Sequence, residues 1–458
     1  MKVAVLGAGI AGLAAGIAFA RAGHQVSLVE KDASPTPERP EDSFLGWDRP
    51  GVPQRRLVHG FIPVGRKALR AGLPDIADRL YAVGANDVDL LDALTDREAV
   101  AGDEDLVILR CRRTVFEWTL RRAALEHPGV RLLSGEVATG FTAIPAASTE
   151  APAVNGVKLR SGGVLAADLV VDAMGRASNA NSWLTDLGAP RGMGETRQPC
   201  GVIYYTRFYE RHEAGFPAGF RAQLGYGLIS ASAADGRTFD ITFFVRAEEP
   251  GLRGLRHEDA FERAVNAIPG LKVWRDGGRP IGPVAVMGAL ENCLRHPVDG
   301  GRLCARGLIL VGDALSITNP TLGRGMSLAF HQAIAAGQVD WKVGDLEAGA
   351  AAYHARVLPL AEASFADAVE ADLVATEAYA GKATALAHPR TLIGRAIPLA
   401  AATDPELFRA IVRHSGLLDP PGALFAEPWI SRARALLATS PPPTAGPDLD
   451  GMLAVLEG

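Results

Sequence analysis

The sequence predicts an α/β protein with a Rossmann-like nucleotide-binding domain, an inserted antiparallel sheet and a helical C-terminal region. Three observations carry this prediction. A short apolar run ends in a Gly-x-Gly-x-x-Gly motif at residues 7–12. A second strand, Gly/Pro loop and helix follow one another over residues 308–339. Between about residues 191 and 283 the hydrophobic pattern changes from helical to alternating, which is typical of strands.

The first element is a strand–helix–strand unit at the N-terminus, with an Ala-rich helix between two apolar strands. In its glycine motif, Gly7 permits the tight turn, Gly9 lets the backbone approach a pyrophosphate, and Gly12 allows the helix to pack closely on the strand. The helix N-terminus adds unpaired N–H groups and the positive end of the helix dipole. The alternative is a Gly-rich turn in an α/β domain that binds no nucleotide. We predict that a pyrophosphate binds at Gly7, Ala8, Gly9, Ile10, Ala11 and Gly12.

An acidic residue closes the second strand of this unit. Glu30 lies eighteen residues after Gly12, close to the spacing at which such an acid accepts the ribose hydroxyls of an adenosine without a 2′-phosphate. Lys31 follows it directly. We predict that Glu30 and Lys31 contact the adenosine half of the cofactor.

A second nucleotide-type segment lies about three hundred residues further on, where a strand leads into Gly312 and Asp313, then a Gly/Pro loop and a helix. A carboxylate at a strand end followed by such a loop suits the middle and far end of a long ligand. FAD is long enough to need both segments, whereas NAD in a simple Rossmann domain is not. We predict that Asp313 accepts a ribityl hydroxyl and that the amides of Gly325 and Met326 stabilise negative charge on the reduced flavin. The alternative is a buried aspartate that caps the helix.

The segments GAGIAGL, Glu30 and GDALSITNPTLGRGMS together resemble flavoprotein monooxygenases built on the glutathione-reductase-type FAD fold. That superfamily includes aromatic hydroxylases, bacterial epoxidases and geranylgeranyl-reductase-like proteins. Arg113 looks like the arginine of the family's helix that reaches FAD. The strand over residues 130–137 looks like the one whose end, near Val137, meets adenine through its backbone. Asp172 belongs to a segment similar to the family's second Asp/Gly loop. The resemblance implies that all of these residues bind the cofactor.

Departures from the family pattern indicate the branch. Aromatic-ring hydroxylases usually carry Ala-His after GDA, where this chain has Leu315-Ser316. The DAMGR loop at residues 172–176, and residues 49–54 together with His59, look more like epoxidase-type oxidoreductases. Flavin halogenases carry a Trp-x-Trp-x-Ile-Pro element, which argues against halogenation here. No such pair occurs among the tryptophans, which are Trp47, Trp118, Trp183, Trp274, Trp341 and Trp429.

No dedicated catalytic acid or base can be identified from the sequence. The loop that contains Pro320, Gly323, Arg324 and Gly325 is expected to face the flavin, with Arg324 adding a cation if it points inward. The resemblance also places His59 near the flavin, although a surface or packing role for His59 stays open. The scarcity of acid–base groups fits oxygenation, in which the reduced flavin carries the reactive oxygen as a C4a-hydroperoxide and the protein supplies orientation and dryness.

Strands in the middle of the chain predict a wall that faces the substrate. Residues 202–209, 226–232 and 238–245 are expected to be strands, and Asp235-Gly236 between the last two is a strong hairpin signal. The resemblance implies an inserted antiparallel sheet with this role. Several aromatic residues could line an apolar pocket there or belong to the core instead: Tyr204, Tyr205, Phe208, Phe243 and Phe244.

The rest of the chain is predicted to be helical, and it either covers the pocket or only shields the core. A long helix over residues 346–376 is expected to break near Pro359, and residues 441–443 are expected to form a proline linker. Shorter helices are expected at residues 406–414, 428–438 and 449–456. The predicted domains are a discontinuous FAD-binding domain (1–75, 105–185 and 284–345), a substrate domain (76–104 and 186–283) and a helical C-terminal region (346–458).

Composition excludes several other classes. The 47 Lys and Arg residues against 52 Asp and Glu give a net charge of −5, which is too acidic for a nucleic-acid binder with a basic surface. The four cysteines form no Cys-x-x-Cys pair, and this indicates a reducing cytosol. Glycines interrupt the uncharged stretch over residues 3–20, which argues against a membrane helix. We expect a cytoplasmic protein with no nucleic-acid partner, no metal and no integral membrane segment.

The resemblance implies an FAD-dependent monooxygenase that inserts one oxygen atom from O2 into an apolar small molecule by epoxidation or hydroxylation, in natural-product metabolism. NAD(P)H would supply the electrons, either directly or through a separate flavin reductase, since the sequence contains no second Gly-x-Gly-x-x-Gly. Two alternatives stay open. One is an FAD-dependent reductase or dehydrogenase of the geranylgeranyl-reductase type, and the other is a flavin-free protein of this fold that binds a partner.

Overall fold

The structure is a computed structural model that describes residues 1–44, 46–52, 58–95, 97–144, 151–189, 192–212, 219–235, 237–440 and 444–458. Three features singled out in the sequence lie outside the described residues. They are Pro53-Gln54 of the epoxidase-like segment, Gly236 of the hairpin signal and the proline linker at residues 441–443.

The strands of the described chain are, in order, β1 (Lys2–Leu6), β2 (Gln25–Glu30), β3 (Val58–Phe61), β4 (Asn86–Asp89), β5 (Val107–Arg112), β6 (Val130–Ser134), β7 (Ala138–Ile144), β8 (Ala153–Leu159), β9 (Val164–Ala166), β10 (Leu169–Asp172), β11 (Gly194–Pro199), β12 (Val202–Arg211), β13 (Gly219–Leu224), β14 (Gly227–Ala233), β15 (Thr238–Arg246), β16 (Gly278–Met287), β17 (Glu291–His296), β18 (Val298–Asp299), β19 (Arg302–Leu303), β20 (Leu308–Leu310) and β21 (Ser316–Ile317).

The α-helices of the same residues are α1 (Ile10–Arg21), α2 (Pro63–Gly72), α3 (Pro74–Ala82), α4 (Arg113–Glu126), α5 (Ala180–Asp186), α6 (Glu258–Asn266), α7 (Lys272–Asp276), α8 (Gly325–Gly337), α9 (Leu346–Tyr379), α10 (Ala383–Leu386), α11 (Pro389–Thr403), α12 (Pro405–Ser415), α13 (Trp429–Thr439) and α14 (Leu449–Glu457).

A five-stranded parallel sheet forms the nucleotide-binding half, in the order β20-β10-β1-β2-β6. Residues 3–6 of β1 are all buried, so this central strand has apolar side chains on both faces, as strands of a covered parallel sheet do. Helix α1 is also buried around most of its circumference and packs against α8, where a Cβ on Gly337 would lie 2.6 Å from the Cβ of Ala18. The predicted Rossmann-like core is confirmed.

The loop between β1 and α1 needs two of its glycines for space inside the protein. Gly7 has a φ of +94°, and a Cβ there would lie 2.7 Å from the carbonyl oxygen of Ala173. A Cβ on Gly12 would lie 1.9 Å from the carbonyl oxygen of Gly7. No real Cβ tolerates such distances, so the turn and the start of α1 can close on each other only with glycine at both positions.

The inserted sheet is antiparallel, in the order β13-β14-β15-β12-β16. The strands expected at residues 202–209, 226–232 and 238–245 correspond to β12, β14 and β15. Two strand pairings cross the predicted domain boundaries. β16 pairs with β12 as far as Met287, beyond the boundary at 283, and β4 pairs with β5 across the boundary at 104. A domain boundary depends on which strands pair with each other, and the local sequence does not show this pairing.

The C-terminal helices are distributed over three places. α9 runs without interruption from Leu346 to Tyr379 with Pro359 inside it, so the predicted break is wrong. Tyr353 before the proline and Asp367 after it are both buried, and this packing holds the helix together despite the hydrogen bond that proline removes. α11, α12 and α13 form a core together with Leu91, Leu94 and Leu106, and α14 packs with α6 against one face of the inserted sheet. None of the described helices is both long enough and apolar enough to cross a membrane.

Candidate functional site

The N-terminus of α1 opens onto free space. Gly9 precedes the helix with a φ of −80° and a ψ of −174°, and a Cβ built on it meets no atom within 4 Å. The N–H groups of Ile10, Ala11 and Gly12 have no hydrogen-bond partner among the described residues, as expected for the first turn of a helix. Donors and the positive dipole end thus face a space that could take an anion.

Glu30 lies beside this space and already has partners. Its carboxylate accepts hydrogen bonds from the N–H of Ala8 (2.9 Å), the N–H of Asp32 (2.9 Å) and Nη2 of Arg49 (3.1 Å). Burial alone would raise the pKa of Glu30, but the charge of Arg49 and these hydrogen bonds outweigh it and lower the pKa. A carboxylate offers about four acceptor sites. Three are in use, so contact with both ribose hydroxyls, which stays a prediction, requires Arg49 to move aside. Lys31 is exposed at the strand end.

Arg49 is a site residue that the sequence reasoning did not single out, although it lies in the segment quoted for its epoxidase resemblance. It is 2% exposed and forms ion pairs with Glu30 (3.1 Å), Asp32 (3.2 Å) and Glu117 (2.7 Å). Its guanidinium also lies 5.4 Å from the ring centre of Trp47. These contacts join three distant parts of the chain, so no local sequence signal reveals them.

Arg113, predicted from the family helix, is the first residue of α4. Its Nε is buried without a hydrogen-bond partner among the described residues. Burial lowers the pKa of its guanidinium, and the charges of Glu117 and Asp313 offset only part of this effect. Buried donors in proteins are nearly always paired. An anion between Arg113 and the start of α1 would supply the missing acceptor.

Asp313 lies in the turn Gly312–Ala314 directly after β20. Burial raises the pKa of Asp313, and the charges of Arg113, Arg176 and Arg295 oppose that rise. Arg295 donates to the backbone carbonyl of Asp313 at 3.2 Å, and within the described chain no donor reaches the carboxylate itself. The proposed capping role is wrong, because Arg324 occupies the N-cap position of α8 and no side chain caps that helix. The carboxylate of Asp313 is therefore available to a ligand.

The Gly/Pro loop before α8 brings backbone donors to the same place. Gly323 adopts a φ of +66° between the turn Pro320–Leu322 and the helix. The N–H groups of Gly325 and Met326 have no acceptor among the described residues. A Cβ on Gly325 would lie 3.7 Å from Oδ1 of Asp313, so the start of α8 and that carboxylate adjoin each other.

A buried hydrogen-bond network fixes this loop from behind. The side-chain oxygen of Asn319 accepts from the hydroxyl of Tyr204, which itself accepts from the N–H of Thr321 at 2.7 Å. Asn319 Nδ2 donates to Asp372 of α9 at 2.5 Å, and Asn292 donates to the same carboxylate at 2.6 Å. Burial raises the pKa of Asp372 despite these donors. The inserted sheet, β17 and α9 thus hold the loop together. Asn292 and Asp372 carry no motif that sequence reasoning could use.

Whether Arg324 adds a cation to the flavin side depends on the direction of its side chain. Arg324 is 2% exposed and its guanidinium pairs with Asp367 of α9 at 2.5 Å. Asp367 also binds Arg390 at 2.6 Å. Arg324 therefore fastens the loop to the C-terminal helices, because a buried carboxylate lies on that side. The negative edge of a flavin would have to rely on backbone N–H groups and the dipole of α8.

Two further predicted residues, Asp172 and Val137, have other surroundings than expected. Asp172 is fully buried and accepts from the N–H of Met174 (2.9 Å) and the hydroxyl of Ser178, so it orders its loop rather than facing a ligand. The predicted strand over residues 130–137 ends at Ser134. The N–H of Val137 donates to Glu136 (3.0 Å) and its carbonyl accepts from the N–H of Arg160 (2.9 Å), so the predicted contact with adenine has no free donor at Val137.

His59 lies half-buried on β3, opposite Cys111 of β5. The strand leads to Ile62, whose N–H donates to Oγ of Ser327 in α8 at 3.0 Å. A Cβ on Gly323 would lie 3.8 Å from a methyl of Ile62. β3 therefore approaches the loop before α8, and a role for His59 beside the flavin stays a prediction.

Strand pairing divides the aromatic residues of the inserted sheet between its two faces. Tyr204 pairs with Phe244 and Tyr205 with Phe243, so each pair shares a face and the two pairs point in opposite directions. Phe243 packs edge-on against Phe261 of α6 at 5.3 Å, and Tyr205 belongs to the same core. Of the two alternatives, pocket or core, Tyr205 and Phe243 belong to the core. Tyr204, Phe244 and Phe208 share the face that meets the loop before α8.

Residues 5–62 match the NAD(P)-binding Rossmann-like domain family. The chain is 27% identical over 366 residues to Protein Rv3254 of Mycobacterium tuberculosis (strain ATCC 25618 / H37Rv), which covers 72% of this chain and 70% of that protein.

Two solved structures share the arrangement of most of the chain. The flavin-dependent brominase Bmp2 superposes with a TM-score of 0.62 at 17% identity, over 96% of this chain and 99% of its own. PqsL, a probable FAD-dependent monooxygenase from Pseudomonas aeruginosa, gives a TM-score of 0.59 at 16% identity, over 83% and 98% of the two chains. The chain has the fold of FAD-dependent monooxygenases.

The residues of this flavoprotein fold also suit FAD individually. Open space lies above Gly9, the Nε of Arg113 lacks an acceptor, and the carboxylate of Asp313 lacks a donor among the described residues. These are open space, a guanidinium nitrogen without a hydrogen-bond acceptor and a carboxylate without a donor. A dinucleotide with a central pyrophosphate and a ribityl chain provides all three complements.

Proposed function

We propose that the chain is an FAD-dependent monooxygenase that inserts one oxygen atom from O2 into a small molecule with an apolar reacting part, by epoxidation or hydroxylation. The observation that carries the proposal is that the groups expected to bind FAD converge at one edge of the parallel sheet. The glycine loop follows β1, Glu30 ends β2 and Asp313 follows β20, so all lie at carboxyl ends of parallel strands, where open α/β sheets bind their ligands.

The residues that would hold FAD follow from their positions. The glycine loop and Arg113 would take the pyrophosphate, Glu30 the adenosine ribose, and Asp313 a ribityl hydroxyl. The amides of Gly325 and Met326 would face the flavin. When bound, the flavin would accept two electrons from NAD(P)H and supply the oxygen chemistry.

The protein itself would contribute backbone donors that are held in place before the cofactor reacts. The unpaired amides at the start of α8 offer hydrogen bonds and a positive dipole end to a developing negative charge. The network of Tyr204, Asn319 and Asp372 keeps those amides in place. The loop contains no side-chain acid or base directed at the site, in keeping with chemistry supplied by a cofactor.

The test begins with the purified protein as isolated. Its absorption spectrum should show flavin, and acid precipitation should release FAD rather than FMN at about one per chain. With a substrate found by screening for oxygen uptake, labelled O2 should place one atom in the product and release the other in water, with two electrons drawn from NAD(P)H. Adding a separate flavin reductase distinguishes indirect from direct electron supply.

Three outcomes would overturn the proposal. An unlabelled product, with turnover that persists without oxygen, would assign the chain as an FAD-dependent reductase or dehydrogenase. A brominated product in the presence of bromide would assign a halogenase. A colourless protein that takes up no FAD would favour a partner-binding protein of the same fold.

A further inference from the structure

The side of the inserted sheet that meets the flavin-facing loop is largely polar. Arg221, Ser230 and Thr242 form one row across β13, β14 and β15, and the next row contains Ser232 and Asp240. The opposite face of the same strands is apolar and packs on α6 and α14. Since the apolar requirement of the fold is met on that second face, the polar rows are not explained by packing.

Arg221 has no carboxylate partner within the described residues. Among them its hydrogen bonding is limited to one contact of 3.5 Å, from Nη2 to the carbonyl oxygen of Thr321 in the flavin-facing loop. The charges that favour its protonated form are those of the phenols of Tyr379 and Tyr204, which are neutral near pH 7. Burial lowers the pKa of Arg221, yet the residue remains accessible to solvent. With one long hydrogen bond within the described residues, its guanidinium is open to a ligand.

A second arginine reaches the same wall from β5. Nη1 of Arg110 lies 3.5 Å from the position of a Cβ on Gly219, and Gly219 and Arg221 are neighbours on one face of β13. Burial lowers the pKa of Arg110, the charge of Asp240 opposes this, and the charge of Arg221 adds to it. Arg110, Arg221 and the buried Asp240 therefore lie close enough together for their charges to interact.

We infer that this wall binds a carboxylate group of the substrate, with Arg221 as its main partner and Arg110 beside it. The inference rests on the proposed function, since the bound molecule is taken to be the one that is oxygenated. A planar guanidinium binds a carboxylate through two parallel hydrogen bonds, and both are strongest where water is excluded. Because Arg221 contacts Thr321, a molecule anchored there lies next to the flavin-facing loop.

The sequence led us to expect an apolar substrate, and this inference replaces it with an amphipathic one. The acid would bind at the rows of Arg221 and Asp240. The apolar remainder would face Tyr204 and Phe244, which lie on the same side of the sheet nearer to the loop's hydrogen-bond network.

Isothermal titration of the flavin-loaded protein tests this without any turnover. The probes are matched pairs that differ only in charge: benzoate and benzamide, 2-naphthoate and 2-naphthamide, decanoate and decanamide. We expect at least one carboxylate to bind about 10-fold or more tightly than its amide. Arg221→Gln should weaken that carboxylate about 10- to 100-fold and leave the amide unchanged. Arg221→Lys, which keeps the charge but not the planar fork, should recover part of the loss.

A matched control and a competitor complete the design. Arg253→Gln removes an exposed arginine near the opposite face of the sheet and should change neither affinity. If no carboxylate binds more tightly than its amide, or if Arg221→Gln weakens both equally, the inference is wrong. Loss of NADPH affinity in Arg221→Gln, with carboxylate affinity retained, would assign the arginine to the nucleotide instead. A carboxylate preference in a protein that oxygenates nothing would uphold this site and overturn only the proposed function.

Discussion

Substitution of Gly9 by alanine should change the affinity for FAD without changing the stability of the fold. Of the motif's three glycines, Gly7 and Gly12 are required by contacts within the protein, at 2.7 Å and 1.9 Å for an added Cβ. Gly9 is not, since its Cβ would meet nothing within 4 Å and its φ of −80° suits any residue. A methyl group at Gly9 therefore enters only the space assigned to the pyrophosphate.

The expected effect of Gly9→Ala on the cofactor-free protein is small. Restricting the unfolded chain stabilises by about 0.4–1 kcal/mol where the native backbone tolerates alanine. Alanine is a poorer N-cap than glycine, and this costs a similar amount. The two effects oppose each other, so the melting temperature of the apoprotein should change by no more than about 4 °C.

The expected effect on FAD is larger. A methyl group forced into an otherwise well-packed contact costs about 1–3 kcal/mol. At about 1.4 kcal/mol per tenfold change in affinity, the dissociation constant for FAD should rise about 5- to 150-fold. The hydrogen bond from Leu13 N–H to the Gly9 carbonyl, at 2.9 Å, involves no side chain and should survive.

The assay compares Gly9→Ala with Gly12→Ala. FAD is removed from each protein, thermal unfolding is followed by circular dichroism, and FAD is titrated back by quenching of its fluorescence. Gly12→Ala should lower the stability of the apoprotein, because its Cβ overlaps the Gly7 carbonyl. Wild-type FAD affinity in Gly9→Ala would show that the space above Gly9 is not the pyrophosphate site, and the nucleotide assignment would fail with it.

Three further substitutions test separate parts of the site. Asp313→Ala removes a charged acceptor from a ribityl hydroxyl, so FAD affinity should fall about 10- to 150-fold, and identical titration curves would refute the ligand role. Tyr204→Phe takes one partner from Asn319 and from the Thr321 N–H, so unfolding should show a loss of about 1–3 kcal/mol. Burial raises the pKa of Asp240 to about 6. The protonated side chain therefore stabilises the folded protein at low pH, and this contribution to the free energy of unfolding is lost as the pH rises through 6. Asp240→Asn should therefore stabilise by up to ~3 kcal/mol at pH 8 and little at pH 4; an equal gain at both would contradict this.

The parts of the site that depend on local geometry could be predicted from the sequence. The glycine loop needs a strand, a turn and a helix in succession, and the loop at Asp313 needs the same, so spacing alone identifies both. The alternation of side chains along a strand also predicts that Tyr204 and Tyr205 face opposite sides. Which of the two faces the loop depends on the packing of α6 and α14, and that information lies 50 or more residues away.

Residues that act across long separations could not be predicted. Arg49 meets Glu117 from 68 positions away, and Asn319 meets Asp372 from 53. The direction of Arg324 could not be predicted either. The sequence left open whether its guanidinium points towards the flavin, and in the structure it pairs with Asp367, which lies in a helix that begins more than twenty residues later. The direction of Arg324 depends on the position of Asp367 in the folded chain, and the sequence alone does not give that position.

One face of the inserted sheet carries both a residue that positions the flavin-facing loop and the arginine proposed to bind the substrate. The hydroxyl of Tyr204 donates to Asn319, and Arg221, three strands further along the same face, contacts Thr321 of that loop. The contact between Arg221 and Thr321, at 3.5 Å, is long for a hydrogen bond, whereas a carboxylate could form two short ones. A bound acid would therefore take over the guanidinium at little cost to the loop, which Tyr204, Asn292 and Asp372 hold independently. Substitutions of the anion-binding residues on this face should therefore leave the amides at the start of α8 in place.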